Sequence, residues 1–199
     1  MSIKYFASVV ALCAATSVNA EGLYYGGGIS ITQAESDAGF GANTVSSDTY
    51  GAVTGTVGYR WDQSNMFYGA EFGLDVAVGS SMEDDGADCF TAANGPYYCD
   101  HVLTSRLRGI VGMPMGSFEG FASFGFASMS GNAATFINTQ DVAVNSGYTF
   151  GLGLQQDLSG NTLRYELIYD NLETNTQSQG SGYEPTFEAI SLNVSYLFN

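Results

Sequence analysis

The chain has 199 residues, room for one domain, and a formal net charge of −15 from 5 basic and 20 acidic side chains. Phosphate binding needs a basic surface, so this balance excludes a nucleic-acid partner. No run reaches the roughly 18–20 apolar residues of a membrane helix; with 26 glycines and 14% aromatics, the 45% hydrophobic content is spent in short alternating segments that read as all-β.

Residues 1–20 read as a cleaved signal peptide. Lys4 supplies the positive end, Tyr5 to Ala15 is apolar but too short to span a bilayer, and Val18-Asn19-Ala20 puts small residues where a signal peptidase reads. Leu12 is bulkier than a lipid-attachment site prefers, so Cys13 reads as an apolar residue of a discarded segment. The mature domain is then 21–199. It keeps Cys89 and Cys99, an even pair that in an exported protein reads as a disulfide.

Eight segments alternate with a period of two, the signature of a strand with one apolar and one polar face. The first runs from about Leu23 to Thr32, the second from about Tyr50 to Trp61, the third from about Met66 to Val78, and the fourth from about Val102 to Met113. The fifth covers about Phe118 to Met129, the sixth Tyr148 to Asp157, and the seventh Thr162 to Leu172. The eighth, Glu188 to Asn199, alternates most regularly: Ile190, Leu192, Val194, Tyr196 and Phe198 recur at every second position against Ser191, Asn193 and Ser195.

Short and long connections alternate strictly. Tight turns lie at Asp62–Asn65, Pro114–Ser117 and Leu158–Asn161; long links lie at about Gln33–Thr49, Gly79–His101, Gly131–Gly147 and Glu173–Phe187. That layout places the tight turns and both termini on one side and the long loops on the other, as in an outer-membrane barrel.

The charges decide which face is outside. The four arginines of the mature chain, Arg60, Arg106, Arg108 and Arg164, all fall within strands on the polar phase, and Glu71, Asp75, Glu119, Glu166 and Asp170 share that phase. A soluble calyx would turn these charges to water. A membrane barrel turns them inward and sets the apolar phase against lipid. Outward aromatics near strand ends (Tyr25, Trp61, Tyr68, Phe198) suit an interfacial girdle, and inward glycines leave room for long arginines. An even number of strands lets the first and last pair, which abolishes the edges.

On the signal peptide, the opening L-Y-Y-G-G-G-I-S, the eight alternating strands and the closing S-L-N-V-S-Y-L-F, the chain resembles the small Gram-negative outer-membrane barrels, the OmpA-type membrane domain and the opacity-like porin family. The resemblance implies an eight-stranded antiparallel up-and-down transmembrane β-barrel in the cell outer membrane. It also implies that the terminal aromatics, Tyr196 and Phe198, signal to the barrel-assembly machinery; here Asn199 follows them, a departure from the family's pattern.

The expected chemistry is a lumen of ion pairs formed by Arg60, Glu71, Asp75, Arg106, Arg108, Arg164 and Glu166, with Glu71 and Arg108 at matching depth on adjacent strands. Eight strands make a barrel just wide enough to be filled by its side chains, so the expected role is structural or surface-interaction with a plugged lumen. A porin-like channel for small solutes is the alternative; a lipid-modifying enzyme and a soluble ligand-binding calyx rank below it. No enzyme activity, cofactor or metal site is expected. Ser105, four residues along the strand from the lone His101, falls on the same face at about 13 Å, too far for a direct Ser–His hydrogen bond. Outer-membrane lipid is the expected surrounding partner, and the outer loops are the place for an extracellular ligand.

Overall fold

The computed structural model describes residues 22–37, 45–84, 87–88, 97–136, 139–175 and 186–198, some of the outer ones in backbone only. The expected signal peptide, Cys89 and Asn199 lie outside the described residues, as does the side chain of Cys99, so the expected disulfide does too.

Among the described residues ten strands form: β1 (Leu23–Asp37), β2 (Val45–Gln63), β3 (Met66–Val78), β4 (Glu83–Asp84), β5 (Ala87–Asp88), β6 (Tyr97–Met115), β7 (Phe118–Phe136), β8 (Thr139–Asp157), β9 (Asn161–Asn175) and β10 (Thr186–Phe198). Eight of them close a barrel in the order β1-β10-β9-β8-β7-β6-β3-β2, with β2 pairing back onto β1 and every pairing antiparallel. The two-residue strands β4 and β5 form a small hairpin on the outer end of β2, through Ser47 opposite Glu83.

The seam between first and last strands runs in unbroken register from Tyr25 opposite Phe198 to Asp37 opposite Thr186, and the Tyr25 and Phe198 rings stack at 5.5 Å. Following paired residues round the wall from Tyr24 through Gly58, Glu71, Arg108, Gly125, Thr149, Asp170 and Ala189 leads back to Ala34, ten residues further along β1. That stagger tilts the strands, as closure of a barrel requires.

Outward residues are the apolar ones. Ile29, Ile31, Phe72, Leu107, Phe124, Phe126, Leu152, Leu167 and Leu192 are all exposed, while Glu71, Asp75, Arg106, Arg108, Arg164, Glu166 and Asp170 are buried. Along β10 the outward apolar run from Ile190 to Phe198 covers nine residues, the length of a tilted strand crossing a bilayer's hydrocarbon core.

The strands outrun the sequence expectation. β7 and β8 pair up to Phe136 opposite Thr139, and β2 begins at Val45, so the long link expected at Gly131–Gly147 is mostly a paired hairpin. Ladder hydrogen bonds need no apolar alternation, so pairing continues where the period of two is lost. A second difference is local. A register shift between His101 and Leu103 leaves Val102 exposed and turns His101 inward, while Ser105 stays on the outer face. One bulged residue reverses the phase of what precedes it, so His101 and Ser105 face opposite sides of the wall.

Candidate functional site

The lumen's charges come from five strands and meet because each sits on the inward phase. On β6 the period of two points both Arg106 and Arg108 inward. Register sets Glu71 directly opposite Arg108 on β3, and Asp75 opposite Thr104 two positions above Arg106. From the far wall β9 supplies Arg164, Glu166 and Asp170, again on one phase. Inward glycines keep space open: a side chain at Gly58 would run into the Tyr24 ring, and one at Gly151 into Glu166 and Ser123.

The arrangement has two tiers. In the lower tier Glu71 accepts from Arg108 Nη2 at 2.5 Å, from the Tyr24 hydroxyl at 2.8 Å, and from Arg164. Glu166 takes the other side of Arg108, accepting from Nη1 at 2.8 Å and Nη2 at 3.2 Å, and also from the Ser123 hydroxyl at 2.8 Å. In the upper tier Arg106 grips Asp170 through Nε at 3.0 Å and Nη2 at 2.6 Å, and pairs with Asp75 through Nη1. Arg106 and Arg108 thus each bridge two carboxylates and Arg164 pairs with Glu71, leaving no buried ion of this set without an opposite charge.

The network continues toward the tight-turn end. Arg164 Nε donates to Gln155 at 3.1 Å, Gln155 donates to Glu119 at 2.8 Å, and Glu119 receives a two-pronged contact from Arg60 at 2.7 and 2.8 Å. Arg60 is partly exposed and also binds Asp62 at 2.7 Å. It stands at a mouth cavity of about 680 Å³ that ends against this network. Beyond it, voids of about 20 and 10 Å³ lie between the charged side chains, room for about one water each.

Apolar layers bracket the charges. Phe67, Ile110 and Phe121 cluster toward the turns; the Arg60 guanidinium lies 3.9 Å from the Phe67 ring centre and that of Arg164 lies 4.9 Å from the Phe121 ring. At the outer end Ala34, Tyr50, Met82, Ala127, Met129, Leu172, Phe187 and Ala189 form a second cluster. His101 joins it, its ring 4.8 Å from Tyr50 and 5.7 Å from Phe187, with Nε2 2.7 Å from the Thr104 hydroxyl. The charges therefore sit in a low-dielectric compartment, where pairs attract strongly and single charges are costly.

The structure buries Asp75 and Arg106 with Asp170 in one hydrogen-bonded group and Glu71, Arg108, Arg164 and Glu166 with Tyr24 and Ser123 in another, which reaches the half-buried Arg60 at the mouth through Gln155 and Glu119. Tyr24, Glu119, Ser123, Gln155 and Asp170 are not among the residues expected to form lumen pairs. Phase alone marks these five as inward. The outer cluster was not foreseen as a layer. Met129, Leu172 and Phe187 sit at the margins of the segments that alternate, and Met82 lies in a link with no period.

No protein-family model matches the sequence, and no curated protein is similar to it. Among solved structures, the chain is similar to Ail, the attachment invasion locus protein of Yersinia pestis, at 11% identity and a TM-score of 0.49, over 90% of this chain and 100% of that one. It is similar to Neisserial surface protein A at 9% identity and 0.46, over 88% and 98%. It is also similar to the N-terminal β-barrel domain of Pseudomonas aeruginosa OprF at 12% identity and 0.42, over 86% and 97%.

Proposed function

We propose that this protein is an outer-membrane β-barrel of structural or surface-interaction role, with a lumen closed by its own side chains. The observation that carries the reading is the inversion of the barrel: an apolar band on the exposed face, and arginines and carboxylates paired on the buried one. A soluble barrel gains nothing from exposing Ile29, Leu107, Phe126 and Leu192 to water. Lipid turns the same surface into the favourable one.

Two features support a surface role over passage. The 19-residue strands β6, β7 and β8 exceed the roughly 9–11 residues a tilted strand needs to cross the hydrocarbon core, so their outer halves project as paired hairpins. Those projections carry acids and no lysine or arginine, since every arginine of 21–199 stands in the lumen. The outer hairpins are the place for an extracellular ligand. The closing aromatics Tyr196 and Phe198, at the seam, are the residues we assign to recognition by the barrel-assembly machinery.

Fractionation of cells making the full chain tests the reading. Recovery with the outer membrane, extraction only by detergent and a folded band that shifts on heating are expected. Recovery in an aqueous periplasmic extract overturns it. Wild-type protein in planar bilayers is expected to show no steady conductance, and a large stable conductance would favour a porin-like channel for small solutes instead.

A further inference from the structure

Among the described residues, the outer apolar cluster contains one member that does not belong to the barrel wall. Tyr50, Met129, Leu172 and Phe187 are held in β2, β7, β9 and β10, each paired on both sides. Met82 comes instead from the short strap Gly79–Met82, which leaves β3 at Gly79, in the left-handed region at φ 71°, and turns into the barrel mouth. Its side chain is fully buried. Among the described residues the strap is fastened by polar contacts: the Ser81 N–H donates to Asp48 at 2.7 Å, the His101 N–H donates to Ser80 at 3.0 Å, and Ser47 stands in register with Glu83 just beyond.

We infer that the lumen is closed twice in series and that the strap is a lid carrying the removable part of the outer closure. The inner closure is rigid, because Arg106 and Arg108 are each fixed by hydrogen bonds to two carboxylates in a water-poor compartment. The outer closure is contact without direction, and a flexible thioether fills its gap. The positive-φ Gly79 at the strap's base and the Ser81–Asp48 and His101–Ser80 hydrogen bonds along it form the hinge and latch of such a lid. Removing charges from the inner closure alone therefore leaves the outer one shut, and withdrawing Met82 alone leaves the inner one shut.

The inference rests on the plugged-barrel reading, and the test separates the two. Full-length variants are inserted into planar bilayers after the heat-shifted band confirms folding. Glu71→Ala with Arg108→Ala empties the middle of the lower tier and leaves Arg164 and Glu166 to pair. Conductance is expected to stay at the wild-type baseline in this double variant and in Met82→Ala, and to become steady when the three changes are combined. Adding Asp48→Ala to the double variant instead releases the latch and is expected to give bursts of opening, whereas adding Met82→Leu keeps the pore shut. Steady current in the double variant alone overturns the second closure. A folded triple variant that stays silent overturns it equally. Should the triple variant not fold, the Asp48→Ala combination decides: silence there means that the strap is no lid. Steady current in the wild type would instead sink the plugged reading beneath.

Discussion

The lumen's charged middle and its apolar outer end fill the same bore by opposite means. Around Arg108 every contact has a direction: Glu71 on one side at 2.5 Å, Glu166 on the other at 2.8 Å, and hydroxyls of Tyr24 and Ser123 on the remaining carboxylate sites. Around Phe187 the contacts are ring faces and methyl groups, with His101 at 5.7 Å. A directional layer fails by leaving a charge alone, and an apolar layer fails by leaving a hole. The two failures differ in size and in how they respond to a second substitution.

Glu71→Ala is the most severe way to break the comparison. It strips one buried carboxylate from both Arg108 and Arg164, and is expected to cost about 4–5 kcal/mol, the upper part of the range for orphaning a buried charge. Urea unfolding in lipid vesicles measures it. The cost should fall when Arg108→Ala is added, because one of the stranded cations goes too; equal or greater loss would show that the pair is not the unit. Phe187→Ala in the outer layer is expected to cost about 3 kcal/mol, with no second change at a charged site able to restore it.

Smaller effects sharpen the contrast within the network itself. Arg60 makes a two-pronged contact with Glu119, yet its side chain is 27% exposed at the mouth. Arg60→Ala should therefore cost under about 1 kcal/mol in the same assay, as surface pairs do. A loss matching that of Glu71→Ala would mean that depth in the bore does not govern the pairs. Smallest of all, Glu35 and Glu188 stand directly opposite each other, both exposed, on β1 and β10. Glu188→Gln should stabilise by roughly 0.2–0.5 kcal/mol by removing a like-charge pair, measured as a shift of the unfolding midpoint at low salt.

How much of this was legible in the sequence follows from what fixes register. The tight turns at Asp62–Asn65 and Pro114–Ser117 anchor the ends of β3 and β6, so counting inward from them sets Glu71 beside Arg108 before any coordinates are known. Alternation then tells which side each residue faces, down to Asp170 and Glu119. His101 escaped because a single bulged residue at Val102 reverses the phase, and nothing in the local pattern marks it. The outer reach of β7 and β8 escaped because it is held by backbone pairing through residues without alternation. Met82 escaped for a different reason: a residue that folds back from a connecting segment obeys no period at all, and only the three-dimensional path of Gly79–Met82 brings it to Phe187 and Leu172.

The central claim is that the apolar phase faces lipid, and the chain carries its own reporter. Trp61 is the single tryptophan, 43% exposed on the outward phase of β2 near a tight turn, its ring stacked on Tyr68 at 5.4 Å. Its fluorescence in vesicles containing brominated phospholipids is the direct measurement. Quenching strongest with bromine near the headgroups, weaker with bromine near the acyl-chain ends, is the result expected of an interfacial girdle residue. Full emission in every brominated lipid, with ready quenching by acrylamide from the water, would contradict the account.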